Sequence, residues 1–219
     1  MEIKELTLFS NNIDEQEDFY ENLLGFECSR HNSSCLEILT SGNKLIFVQA
    51  DQEFYYHFAF LIPTGTLESA IGYLEERSIA LLRHQGNKIV YFDLGRAIYF
   101  YDSSGNIVEF IERPMLDYSS RNQFTIDAII KLNEIGLPVK EPLKTANRLV
   151  DEFFICPLDK SQFNNEFCWV GDHNGVVIVV KEGRNWLPTK KKGVPNDFSM
   201  RYTDTGRIQE ITFKNNEIL

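Results

Sequence analysis

Asp102-Ser103-Ser104-Gly105-Asn106-Ile107-Val108-Glu109-Phe110-Ile111-Glu112 reads as a polar turn that runs straight into a strand. Gly105 and Asn106 tolerate tight-turn backbone, and the apolar run behind them has strand length. With residues 97–101 as the strand before the turn, the stretch predicts a β-hairpin. The same turn chemistry occurs earlier, as Ser41-Gly42-Asn43 between strand candidates 36–40 and 44–49. Each hairpin is preceded by a strand and a helix. Residues 5–9 alternate as a half-buried strand, and Asn11-Asn12-Ile13-Asp14 offers caps to a helix that places Phe19, Tyr20, Leu23 and Leu24 on one face and stops at Gly25. Residues 56–62 form a strand ended by Pro63, followed by a helix over 66–77 with Leu67, Ala70, Ile71 and Leu74 inward. Strand, helix, strand, strand, strand thus occurs twice, roughly 50 residues apart, which marks an internal repeat.

A looser third copy follows a stretch containing Pro114 and Ser119-Ser120. Residues 133–139 echo 4–8; a helix is expected over 142–153 with Leu143, Ala146, Leu149 and Val150 inward; strands 167–170 and 176–181 flank Gly171-Asp172-His173-Asn174-Gly175. The tail carries a hairpin candidate, 198–203 and 209–214 around Thr205-Gly206, and has no room for a complete fourth copy.

The 219 residues are ordinary in hydrophobic (43%), aromatic (13%) and charged (25%) content, enough for a core without disulfides or structural metal. The formal charge of −10 argues against nucleic acid and anionic membranes as partners. No apolar run approaches the roughly 18 residues of a membrane span. Met1-Glu2-Ile3-Lys4-Glu5 lacks the organisation of a signal peptide, and Cys28, Cys35, Cys156 and Cys168 form no C-x-x-C pair, so a cytoplasmic protein with reduced thiols is expected. Phosphate-loop, G-x-S-x-G, G-x-G-x-x-G and H-E-x-x-H motifs are absent. Lys190-Lys191-Lys192 reads as a solvated loop, and Arg184 and Trp186 are placed either at a pocket rim or in the third module's core.

Paired modules with the ending Asp102, Gly105, Asn106, Glu109, Phe110, and with His57 opening the second, resemble the vicinal oxygen chelate superfamily of glyoxalases, bleomycin-resistance proteins and extradiol dioxygenases. The resemblance covers residues 1–113 well and 131–182 loosely. It implies an α+β fold of repeated βαβββ modules, with a cup-shaped mixed sheet, helices on its outer face and a degenerate third module. The implied domains are a paired glyoxalase-like unit at 1–113, a linker at 114–130, and a third module with C-terminal hairpin at 131–219. A divalent metal in the cup would be held from the first and last strands of each module. Carried over by position, those slots fall on Glu5, His57 and Glu109, and the fourth on Ile46, which cannot ligate. Glu5 departs from the histidine or glutamine more usual at its slot.

Alternation along the strands supports this independently. If His57 faces the cup, so do Ala59 and Leu61; if Glu109 does, so do Ile107 and Ile111; if Glu5 does, so does Thr7. In each case the neighbouring residues, such as Phe58, Phe60, Phe110, Leu6 and Leu8, turn to the helices. Two carboxylates and an imidazole suit zinc, iron, manganese, nickel or cobalt. The resemblance then implies a lyase, isomerase or ring-cleaving dioxygenase acting on a small oxygen-chelating organic substrate. Glu109 or Glu5 would be the proton-transfer base, and Tyr99 a catalytic tyrosine with Tyr101 and His84 as further candidates. His31 and His173 read as loop residues. Glu134 mirrors Glu5, but strand 176–180 offers no ligand, so a second metal site in the third module is not expected. The alternative is a metal-free protein of the bleomycin-resistance type that binds or sequesters a small molecule. Superfamily members form dimers through such modules, so a homodimer is compatible.

Overall fold

The computed structural model describes residues 1–219. The first module comprises β1 (Glu2–Ser10), α1 (Ile13–Glu17, continued by a π-helical turn at Asp18–Leu23), β2 (Glu27–Asn32), β3 (Cys35–Leu39) and β4 (Lys44–Gln49). The second comprises β5 (His57–Leu61), α2 (Leu67–Glu76), β6 (Leu81–Leu82), β7 (Val90–Phe92), β8 (Gly95–Tyr101) and β9 (Ile107–Glu112). The third is shorter than its counterparts: β10 (Lys131–Val139), α3 (Pro142–Asp151), β11 (Phe167–Asp172) and β12 (Gly175–Lys181). The tail adds β13 (Phe198–Asp204), β14 (Arg207–Lys214) and β15 (Glu217–Ile218). The α+β class and the module order follow the reading of the sequence.

Two mixed sheets result. The eight-stranded sheet has the order β11-β12-β10-β5-β9-β8-β6, with β7 also on β8; the seven-stranded sheet runs β15-β14-β13-β1-β4-β3-β2. The second module therefore joins the third through the antiparallel pair β5–β10, and the first joins the C-terminal hairpin through β1–β13. Both seams carry a register break, between Leu132 and Glu134 and between Ile3 and Glu5. Such a bulge re-aims the residues beyond it. Leu132 and Ile135 both reach the main core, and so do Ile3 and Leu6, which turns Glu134 and Glu5 to the opposite face of their strands.

The main core packs the three helices with one face of each sheet; Tyr20 of the π-helical turn meets Phe47, and Phe26 meets Phe60, at ring centroids 5.7 and 5.3 Å apart. A second, smaller core fills the concave face of the eight-stranded sheet, with Ala59, Leu61, Ala97, Ile107, Ile111, Val176 and Val180.

The turn that revealed the repeat is a structural knot. Asp102 accepts from the backbone N–H groups of Ser104 and Asn106 (3.1 and 2.9 Å) and from Asn106 Nδ2 (2.7 Å). It also accepts from Tyr20 Oη (3.0 Å) and Gln16 Nε2 (3.1 Å), tying the first module's helix to the second module's hairpin. Asn106 Oδ1 accepts from Tyr56 N (2.7 Å), which holds the start of β9 against the start of β5. At the other end of β9, buried Glu112 faces the helix layer: its Oε1 accepts from Gly65, Thr66 and Leu67 N–H (2.9, 2.8, 2.8 Å), at the N-terminus of α2. Glu109 and Glu112, three apart on one strand, thereby serve opposite faces.

Candidate metal centre

β5 and β9 run parallel with Ala59 opposite Glu109, so Glu109 lies one pleat along from His57 on the concave face. β10 contributes Glu134, also opposite Ala59, beyond the bulge. The nitrogen and carboxylate atoms of His57, Glu109 and Glu134 all lie within 4.8 Å of one another, and all three residues are buried. His57 Nδ1 donates to the Ile107 carbonyl at 3.2 Å, which leaves Nε2 facing Glu109 Oε2 at 3.3 Å and Glu134 Oε2 at 4.0 Å. A hydrogen bond at one imidazole nitrogen is the usual way a protein fixes which nitrogen is free for an ion.

Glu134 Oε1 is taken by the guanidinium of Arg113, which lies just past β9. Arg113 Nε donates to Asn133 Oδ1 (2.7 Å) and Nη1 to the Leu94 carbonyl (3.4 Å), and the group lies 4.8 Å from the Trp169 ring. Burial pushes the Glu134 carboxyl upward and the charge of Glu109 adds to that, outweighing Arg113 and His57. Burial opposes the charge on His57, but Glu109, Glu134 and the Ile107 carbonyl together raise its pKa. Tyr99 stands opposite Glu109 in the β8–β9 register, 6.2 Å between ring centroids from His57; burial, then the two carboxylates, hold its phenol well above the ordinary range.

Of the side chains chosen from sequence, His57, Glu109 and Tyr99 therefore come together. Glu5 does not join them. It lies on the seven-stranded sheet, 27% exposed, with Arg201 Nη1 at 3.5 Å. The reason is the seam: β5 takes β10 as its partner, so Glu134 fills the place expected for Glu5. The equivalent slots beside β1 and β10 bear this out. Glu109 lies opposite the residue two beyond His57, and the same step gives Ile46 opposite Thr7 on β4 and Ile178 opposite Gly136 on β12. Neither isoleucine can ligate, so one sheet offers three donors and the other only Glu5. His31 is in β2 rather than a loop, paired with Glu37 at 2.9 Å; His173 is in the β11–β12 turn. His84 lies in a turn with Asn87, and Tyr101 is 38% exposed; neither belongs to the three-donor group. Glu134 and Arg113 were not singled out for this place, although Ile135, Leu137 and Val139 give Glu134 the parity of a cup residue; Trp186 takes the pocket-rim place that was one of its two readings.

Trp186 covers the centre, 4.9 Å from His57 between ring centroids and 7% exposed. It fits because Gly136 has no side chain: a Cβ there would lie 2.5 Å from the indole. The space between Tyr55, His57, Gly136 and Trp186 is about 10 Å³, on the order of one water. A groove of about 570 Å³ along α3 is lined by other residues, Lys140 to Glu152 among them.

The donor set fits a divalent ion. Ligand atoms each about 2.0–2.2 Å from one ion stand no more than about 4.4 Å apart. The two His57 separations, 3.3 and 4.0 Å, meet this, and the third pair, within 4.8 Å, needs at most a side-chain adjustment of a few tenths of an ångström. Two carboxylates match the charge of the ion, and no sulfur is present to favour soft metals.

No protein-family model matches the chain, and no curated protein is similar to it in sequence. Among solved structures, a presumed dioxygenase from Bacillus subtilis subsp. subtilis str. 168 matches with a TM-score of 0.60 and 17% identity, over 82% of this chain and 63% of that one. This chain thus spans under two thirds of that protein's length. A lactoylglutathione lyase from Agrobacterium tumefaciens matches with a TM-score of 0.45 and 18% identity, over 53% of this chain and 96% of that one. No helix is long and apolar enough to cross a membrane. With its repeated modules and cup-like mixed sheet, the chain shares the fold of the B. subtilis structure.

Proposed function

We propose that the chain holds one divalent metal at His57, Glu109 and Glu134 and acts on a small organic molecule through two neighbouring oxygens, as a lyase, isomerase or ring-cleaving dioxygenase. The convergence of three donor side chains from three strands carries this reading. Zinc, iron, manganese, nickel or cobalt bound there supplies a Lewis acid that draws charge from substrate oxygens. His57, fixed by the Ile107 carbonyl, offers Nε2. Glu134, restrained by Arg113, offers Oε2. Glu109 is the group placed to move a proton, with Tyr99 alongside as a neutral phenol. Trp186 and the apolar lining exclude water.

A second reading, a metal-free small-molecule binder, has its own support: Arg113 on Glu134 and His57 beside Glu109 balance the carboxylates without an ion. Metal analysis of protein purified without chelator or affinity tag separates the two. The metalloprotein reading expects one equivalent of metal per chain, lost in His57→Ala, Glu109→Ala and Glu134→Ala and kept in Glu5→Ala. Substoichiometric metal that none of these substitutions changes would overturn it and favour the second reading.

A further inference from the structure

We infer that residues 183–193 form a hinged strap, latched by Lys191, whose indole Trp186 gates access to the centre. The strap bonds mainly to itself. Gly183 N–H donates to the Gly193 carbonyl (2.8 Å), Gly193 N–H to the Arg184 carbonyl (2.7 Å) and Trp186 N–H to the Lys191 carbonyl (2.9 Å), with Asn185 bridged to Lys192. Thr189 closes the tip, its N–H and hydroxyl both donating to the Trp186 carbonyl (2.7 and 3.0 Å). Such a unit can move without breaking its own bonds. Its roots contain Gly183, at φ +80°, and Gly193, residues suited to a change of chain direction.

Beyond the root turn, where Arg184 N–H donates to the Lys181 carbonyl (3.0 Å), two hydrogen bonds hold the strap down on the body of the protein. Lys191 Nζ donates to the Gly105 carbonyl at 2.6 Å, and the Tyr55 hydroxyl donates to the Lys192 carbonyl. The same ammonium lies 3.9 Å from the Tyr55 ring centroid and 5.5 Å from that of Tyr101, so its charge is held by two aromatic faces and a carbonyl. Opposite this latch, the indole lies in the slot that Gly136 leaves over His57. The space beside it between Tyr55, His57 and Gly136 is about 10 Å³, room for about one water. Anything larger that reaches the centre from this side does so where the indole now lies.

The inference rests on reading the three-residue centre as the functional site, yet its test uses no metal. The probe is diethyl pyrocarbonate, which modifies accessible imidazoles, with His57 followed by peptide mass spectrometry on metal-free protein. Acrylamide quenching in a Trp169→Phe background reports Trp186 separately. Lys191→Met and Tyr55→Phe are each expected to speed modification of His57 by about tenfold, the factor for losing one hydrogen bond, and to raise quenching. Trp186→Ala should speed modification at least as much, and adding Lys191→Met to it should do nothing more. Gly136→Ala, which displaces the indole without touching the latch, should act like Trp186→Ala. Throughout, the thiol of fully buried Cys168 should stay unreactive. Wild-type rates in both latch variants, continued protection in Trp186→Ala, or Cys168 opening in step with His57 would each overturn the strap. A strap that passes this test in a protein without stoichiometric metal would leave the gate standing and the metal reading fallen.

Discussion

Arg113→Met removes the guanidinium paired with Glu134 Oε1 while keeping a side chain of similar reach. Arg113 has no exposed side-chain surface and Glu134 has 9%, so water cannot replace the lost partner without rearrangement. Breaking a buried ion pair from one side costs about 3–5 kcal/mol. The orphaned Asn133 Oδ1, which now accepts from Arg113 Nε at 2.7 Å, adds about 1 kcal/mol. One term works the other way. Burial and Glu109 already raise the Glu134 carboxyl, so in the variant it can take up a proton and escape part of the penalty. The net loss is therefore about 2–4 kcal/mol near pH 8 and smaller near pH 5, against a typical total of about 5–15 kcal/mol.

Urea unfolding of metal-free protein at the two pH values measures it, with Glu134→Gln and the double variant completing a cycle. The double variant should recover much of the loss, giving a coupling of at least about 1.5 kcal/mol at the higher pH. Divalent metal should then stabilise Arg113→Met by mass action, the ion taking over as the partner of Glu134. A coupling below about 0.5 kcal/mol, or a loss equal at both pH values, would refute the view that Arg113 acts as the counter-charge of this centre.

Other outcomes follow from the same geometry. Because His57 has a raised pKa in the fold, its ion pair contributes fully below the ordinary value of about 6.5, and that contribution is lost as pH rises through the raised value. Metal-free stability should thus fall with pH in that window, His57→Gln should flatten the slope, and saturating metal should oppose it because the ion displaces the proton. Glu112→Gln weakens three charge-assisted bonds at the start of α2 and the contact with Arg96 at 2.7 Å; about 2–4 kcal/mol, or a Tm lower by roughly 5–15 °C, is expected in a thermal melt, with metal content unchanged. Glu5→Gln, half-exposed beside Arg201, should cost at most about 1 kcal/mol by urea unfolding and leave metal content as it was.

What the sequence disclosed and what it withheld divide along a physical line. The hairpin motif was legible because turn geometry is local: Asp102 and Asn106 satisfy backbone groups within a few residues, and only their bonds to Tyr20, Gln16 and Tyr56 reach further. The facing of His57 and Glu109 was legible because a pleat alternates regardless of its neighbours. Glu5 and Glu134, however, are equivalent by every local rule. Each follows a bulge, and each precedes apolar residues that alternate into the core, Leu6 and Leu8 or Ile135 and Leu137. Which of them reaches the centre depends on which strand pairs with β5, a contact between segments about seventy residues apart in the chain and set by the packing of whole modules rather than by any alternation. Two differences outside the strand pattern do separate them. Gly136, where β1 has Thr7, leaves the slot that the indole needs. Arg113, at the opening of what reads as a linker, is a cation that could be fully buried only beside a carboxylate. β10 is buried along its whole length while β1 keeps one face half-open, so a carboxylate on β10 required a partner and one on β1 did not. The buried centre is therefore specified by the residues that make a buried charge tolerable as much as by its donors.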